Sequence, residues 1–143
     1  MAKEVLIQIN SAQILEDGAD DSMSFFTKGN LYNRCGVYYI LYKDTQVSGM
    51  EDVTTSLKVE RAKVTLNRMG SVDHKLTFEE GVLHGSAYVT PHGTLFLEVL
   101  TEKMEISLTE EGGHISLKYN LFSQEQLLSQ NTLEIIIKED APQ

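Results

Sequence analysis

The sequence predicts an all-β fold, a single closed antiparallel up-and-down β-barrel of about eight to ten strands. Three observations carry that expectation. Apolar residues recur with period two, as at Leu57 and Val59, Val64 and Leu66, and Leu76 and Phe78, each set alternating with polar neighbours. Such alternation puts one face of a strand in a dry core and the other in water. Short clusters of turn-forming residues divide these runs: Met69-Gly70-Ser71, Glu79-Glu80-Gly81 and Thr90-Pro91-His92-Gly93. Glycine and proline there supply the backbone geometry that tight reversals need. Finally, no long helical pattern is present to cover sheet edges, so closure of the sheet on itself is the economical way to pair every strand. A two-sheet sandwich is the alternative architecture.

Taken in order, Val5–Gln13 is the first strand, with Val5, Ile7 and Ile9 on one face. The acidic stretch Glu16–Asp21 makes a turn, and Ser22–Thr27 the second strand. Gly36–Lys43 is the third and is apolar on both faces, so either Tyr38, Ile40 and Tyr42 or Val37, Tyr39 and Leu41 lie outside. A polar loop around Gly49 spans Lys43–Asp52. Four strands then fill Thr54–Gly93. In the last of these, over residues 83–90, Tyr88 and Thr90 share one face while Ala87 and Val89 compete for the core. Thr94–Thr109 is long, and its apolar set passes from Leu95, Leu97 and Val99 to Met104, Ile106 and Leu108. That shift from odd to even positions predicts a bulge or bend near Leu100–Lys103. Glu110-Glu111-Gly112-Gly113 predicts a hairpin with both glycines at its centre, leading into His114–Phe122. Ser123–Gln130 reads as about two helical turns. Thr132–Lys138 is the last strand, before a frayed tail over Lys138–Gln143. One domain over residues 1–143 follows, its ordered core at about 4–138.

Composition limits the function classes. With 143 residues, 41% hydrophobic and 23% charged, the chain has the balance of a soluble globular domain. Its 21 acidic residues against 12 basic ones give a net charge of −9. That excess argues against nucleic acid as a partner, because binding to phosphate backbones is driven by Lys and Arg. No apolar run is long enough to span a membrane as a helix, and the opening MAKEVLIQIN alternates like a strand, unlike a signal peptide. A cytoplasmic protein without a membrane partner is expected. Cys35 is the sole cysteine, which excludes an internal disulfide and a Cys-based metal cluster. It reads as a small residue at a strand entry.

Chemistry-bearing motifs are scarce. His74, His84, His92 and His114 sit near turns or strand ends, where histidines are usually solvated, and none has metal-ligand spacing to another. Glu16–Asp21 lacks the ligand pattern of a calcium loop. No Gly-x-Ser-x-Gly elbow or phosphate-cradling glycine loop is present, and Glu79 and Glu80 flank a turn and point apart. The expectation is therefore no catalytic residue, no metal and no cofactor.

Arg68 stands out. Its strand parity places it with Val64 and Leu66 on the apolar face. Tyr39 shares a face with Val37 and Leu41, and Tyr119 with Leu117 and Leu121. An inward Arg with Tyr hydroxyls can hold a carboxylate or phosphate, so the candidate ligand residues are Arg68, Tyr39, Tyr119, Tyr88 and Thr90. The competing role for Arg68 is structural, an Arg at a strand end that plugs the barrel mouth or snorkels to water.

In the order and at the spacing seen here, several segments together resemble the YwiB-like family of small uncharacterised bacterial proteins. They are Thr27-Lys28-Gly29 with Tyr38–Tyr42, Thr55-Ser56-Leu57-Lys58-Val59, Val64–Gly70, Phe78 with Gly81, Tyr88-Val89-Thr90 with Gly93, Tyr119-Asn120-Leu121 and Asn131–Ile137. The resemblance implies a calycin-type, lipocalin-like barrel and brings no established activity. Lipocalins mark the barrel floor with Gly-x-Trp, and this chain has no Trp, so their ligands are not implied.

Two functional readings follow. Bulky residues at most inward positions favour a filled interior and a non-enzymatic binding or interaction module that works through its outside, with a second copy or another protein as partner. The alternative is a barrel that binds a small apolar or anionic ligand with Arg68 near the site.

Overall fold

The computed structural model describes residues 2–15, 17–44, 53–70 and 73–139. Ten strands follow one another: β1 (Ala2–Leu15), β2 (Asp20–Arg34), β3 (Val37–Asp44), β4 (Val53–Val59), β5 (Val64–Met69), β6 (Asp73–Phe78), β7 (Leu83–Thr90), β8 (Gly93–Thr109), β9 (Gly112–Ser123) and β10 (Gln126–Glu139). Each pairs antiparallel with the next, and β10 returns to β1, so the sheet closes. The expected up-and-down barrel is what the chain forms, and no described residue lies in a helix.

Alternation sets the core. Val5, Ile7 and Ile9 of β1, Leu57 and Val59 of β4, Val64 and Leu66 of β5, Leu76 and Phe78 of β6, Ile115 and Leu117 of β9, and Ile135 and Ile137 of β10 are all buried. The two-sided strand β3 resolves in one direction. Ile40 and Tyr42 are buried and Tyr38 packs against the core, which leaves Val37, Tyr39 and Leu41 on the outer face. On β7 the even positions turn inward: Ser86 is buried and Val89 is exposed.

The change of parity in β8 is a β-bulge. Pairing with β9 shifts between Thr101 and Lys103, so Glu102 is the extra residue and the inward set runs Val99, Thr101, then Met104, Ile106 and Leu108.

Several boundaries differ from the sequence reading. β1 and β2 are longer at both ends than the sequence reading indicates, because each continues to pair with its neighbours beyond those bounds. The helical turns expected over Ser123–Gln130 are absent. Ser123 pairs with Gln126, and the two residues between them, Gln124 and Glu125, take positive φ of 51° and 69°. That is the geometry of a two-residue hairpin, usually signalled by Asn-Gly, and ladder pairing to β9 overrides the helix propensity of Gln, Glu and Leu. Register also shifts between Leu127 and Ser129.

In the β8–β9 hairpin, the central pair is Glu110-Glu111, since Thr109 faces Gly112. The glycines open β9. Gly113 sits at φ 145°, and a Cβ there would meet the carbonyl oxygen of Ser107, so close backbone approach, not turn geometry, demands it. Cys35 lies exposed in the β2–β3 turn with φ 53°, not at a strand entry. Glu16, the Lys43–Asp52 loop beyond Asp44, Ser71 of the β5–β6 turn and the tail beyond Glu139 lie outside the described residues.

Candidate functional site

One cross-strand row runs around the interior and gathers its polar side chains. Reading neighbour to neighbour, Gly29 of β2 pairs with Tyr42, Tyr42 with Thr55, Thr55 with Arg68, Arg68 with His74 and His74 with Tyr88. Gly29 is where the row is narrowest: a Cβ there would strike the Leu41 carbonyl and the Ile7 side chain. The next inward residue on β4 and on β6, one step deeper, is Leu57 and Leu76, both buried. The row therefore lies at the end of the barrel where β5 finishes and β6 begins, above a hydrophobic plug.

Arg68 is inward-facing and partly exposed, as strand parity predicts. Its Nε is buried without a partner. His74 beside it is only 7% exposed, and neither Nδ1 nor Nε2 has a partner. Its ring lies 4.5 Å from that of Tyr88, tilted by 40°. Burial, and then the charge of Arg68, push the His74 pKa down from 6.5 to about 4, because both disfavour a second cation in the same space. The imidazole is neutral at pH 7.

Tyr119 projects from β9 between Thr101 and Asn131, its cross-strand neighbours. Its ring packs against Phe78 at 4.7 Å. Burial raises its pKa, and Arg68 pulls it partly back, so the guanidinium charge is felt across the interior. Further polar groups surround this space. Ser86 Oγ donates to the Lys75 carbonyl at 2.6 Å, across the stretch where β6 and β7 no longer pair. Asn131 Nδ2 donates to Ser129 Oγ at 2.9 Å, both residues being buried. Thr101 Oγ1 is buried with no partner.

Of the residues singled out from sequence, the structure brings together Arg68, Tyr88 and Tyr119. Tyr39 does not join them: it points outward, with Tyr32, Arg34 and Leu41 around a shallow groove of about 320 Å³. Thr90 does not join them either. Its hydroxyl donates to the Gly93 carbonyl at 2.9 Å and accepts from the His92 amide at 3.1 Å, closing the β7–β8 turn. His74 is the residue the sequence reading missed, having been assigned to a solvated strand end. The signal was present: His74 shares parity with Leu76 and Phe78. Among the described residues, no group of three or more His, Cys, Asp or Glu is placed to hold a metal ion. The remaining histidine of interest, His84, meets the Glu79 carboxylate at 3.0 Å and so has its partner.

A second concavity, of about 620 Å³, opens among Lys3, Asn33, Tyr38 and Leu108–Glu111. Its polar groups are partly satisfied, with Asn33 donating to Glu110 at 3.3 Å, and no buried polar atom there lacks a partner. Among the described residues, the buried polar atoms without a partner are Arg68 Nε, both ring nitrogens of His74, Thr101 Oγ1 and Asn120 Oδ1, and of these residues Arg68 and His74 are cross-strand neighbours.

Comparison with known proteins adds fold and kinship. Residues 7–135 match the model of a family described as a domain of unknown function, DUF1934. The chain is 29% identical over 122 residues to the uncharacterized β-barrel protein YwiB of Bacillus subtilis (strain 168), covering 85% of this chain and 84% of that one. The barrel superposes on a crystal structure of the ywiB protein from Bacillus subtilis with a TM-score of 0.87 at 23% identity, across 98% of this chain and 94% of the other.

Proposed function

Since the chain belongs to the DUF1934 family, a domain of unknown function, its kinship supplies no activity, and we propose that it is a binding barrel for a small anionic molecule held at the Arg68 end of the interior. One observation carries this reading: Arg68 Nε and both ring nitrogens of His74, neighbours across two strands, are buried with no partner. A buried donor or acceptor left unpaired costs about 1–3 kcal/mol, and more beside a charge. A sequence that merely plugged its barrel with an Arg would be expected to give each buried N–H of that Arg an acceptor, and Nε has none. A carboxylate or phosphate supplies them, with geometry suited to a guanidinium.

Arg68→Met tests the reading, because it keeps much of the stem and removes the charge. The mutant barrel should be as stable as the parent or more so in urea unfolding, and an anion seen by native mass spectrometry of the gently purified parent should be gone. A loss of about 1–3 kcal/mol with no ligand bound to the parent would instead make Arg68 a structural plug.

A second reading, self-association through the outside, is favoured by the outer face of β2 and β3. Phe26 is 71% exposed there, on the same face of β2 as Tyr32, which borders the groove with Tyr39 and Leu41. Exposed apolar surface of this kind is a usual contact site. Light scattering at micromolar concentration should then find a dimer that Tyr39→Lys weakens and Ile40→Lys, buried in the core, cannot report on. A strict monomer would remove the reading.

A further inference from the structure

We infer that two copies of this chain join edge to edge through the start of β8, in an antiparallel pair that sets Leu95 opposite Leu95 of the other copy. The observation behind it is a stretch of sheet with one neighbour only. β8 pairs with β7 from Gly93 to Leu100, but with β9 only from Glu98 onward. Beyond Phe122, β9 turns back, and Ser123 pairs with Gln126 of β10. The β7–β8 hairpin therefore reaches past the end of β9, and among the described residues nothing pairs with Gly93–Leu97 on that side. At about 3.4 Å per residue this free edge is about 17 Å long.

Register tells which groups are stranded. Thr90 faces Gly93 across a two-residue turn, so Thr90–Gly93, Tyr88–Leu95 and Ser86–Leu97 are the pairs that exchange hydrogen bonds. Thr94 and Phe96 then direct their N–H and C=O groups away from β7, toward the free side. The same parity turns Glu98 and Leu100 to β9, where Phe122 and Asn120 face them. This edge is also unguarded. Natural sheets often blunt such edges with charge, yet Gly93–Leu97 carries none. Leu95 and Phe96 are 62% and 75% exposed.

A second copy fits this edge on its own terms. Under a two-fold axis through the sheet, opposite residues share a face, so one residue sits at the centre of the pair. Centring on Phe96 uses only the groups of Phe96, because the next pair would need Glu98, which β9 already holds. Centring on Leu95 sets Thr94 of each copy against Phe96 of the other, and every stranded N–H and C=O finds its partner. Leu95 then meets its own copy at the closer, non-hydrogen-bonded spacing, and Phe96 covers Thr94. Glu98 comes level with His92 of the other copy, so no like charges meet. In a chain of net charge −9, a neutral edge is where two copies can approach.

Light scattering of the full chain at micromolar concentration tests this, with twice the mass of one chain expected. Phe96→Pro removes an N–H on the free side and leaves the ladder to β7 intact. It should weaken the dimer by about tenfold or more, since each copy loses one hydrogen bond to the other. Leu95→Lys, which sets like charges opposite each other, should do the same and serves should Phe96→Pro fold poorly. In a Cys35→Ser background, Leu95→Cys should crosslink to its own copy on mild oxidation, because the central Cα atoms lie about 4.5 Å apart. Thr94→Cys faces Phe96 and should not.

A strict monomer overturns the inference. So does a dimer that Tyr39→Lys dissolves and Phe96→Pro leaves intact, which puts the contact on β2 and β3 instead. A dimer in which Leu95→Cys crosslinks no faster than Thr94→Cys overturns the register centred on Leu95.

Discussion

Phe78→Ala should destabilise the barrel by about 3–5 kcal/mol, the range for deleting a buried aromatic ring. Phe78 is fully buried on β6, opposite Val64, and its ring is the surface on which Tyr119 rests. Its neighbours Val64 and Tyr119 are each held in strands paired on both sides, β5 between β4 and β6 and β9 between β8 and β10, so the wall cannot collapse far into the space vacated. The cost therefore includes a cavity term as well as lost transfer energy. Urea unfolding should show a lower midpoint with an unchanged slope. A loss under about 1.5 kcal/mol would mean that Tyr119 swings in to fill the gap, which binding measurements would register because Tyr119 feels the charge of Arg68.

Acid should expose the cost of burying His74. In the folded protein its pKa is about 4, against 6.5 for the unfolded chain. Between those values the unfolded state binds more protons, so stability rises with pH across the window and is lost as pH falls from about 6.5 to about 4, then levels off. A displacement of that size corresponds to roughly 3 kcal/mol. His74→Phe keeps a ring against Tyr88 and removes both unpaired nitrogens. Its stability should exceed the parent's by about 1–3 kcal/mol at pH 7, and the gap should widen as pH falls to 4. The carboxylates outside the barrel titrate in both proteins, so the difference between them isolates His74. A constant gap from pH 7 to pH 4 would show that the imidazole is hydrated in solution.

Much of the barrel was legible because a period-two pattern, once read, assigns a face to every residue on a strand. Arg68 was found inward by counting from Val64, and the bulge at Glu102 by the change of parity after Val99. Parity is silent where both faces are apolar, as in β3, and there only the neighbouring strands decide: Tyr42 turns inward into the space left by Gly29. It is silent too where the turn chemistry is unconventional. Gln124 and Glu125 in left-handed conformation advertise nothing, and a short run of helix-forming residues then reads as helix. The site was half legible. Arg68 and Tyr119 followed from strand positions, parity alone leaves Tyr88 undecided against Ala87 and Val89, and His74 was set aside because it stands next to a turn. Its unpaired nitrogens are a property of surroundings drawn from other strands, Arg68 on β5 and Tyr88 on β7, and no local pattern encodes them.

Closure through β10 also has a consequence for biosynthesis. Nine of the ten pairings join strands that are consecutive in the chain, but the tenth joins Val5 to Glu139. Hairpins between consecutive strands form in microseconds, so the ladder can grow as the chain emerges. Its first edge cannot be covered until β10 is made. At about 5–20 residues per second, β1 waits on the order of ten seconds with Val5, Ile7 and Ile9 bordering an unpaired backbone. For that interval the nascent sheet is an open ribbon with a free edge at either side, the form most prone to pair with another chain. The Ile135-Ile136-Ile137 run that finally seals it is thus the segment whose delay or loss would turn a barrel into an aggregate.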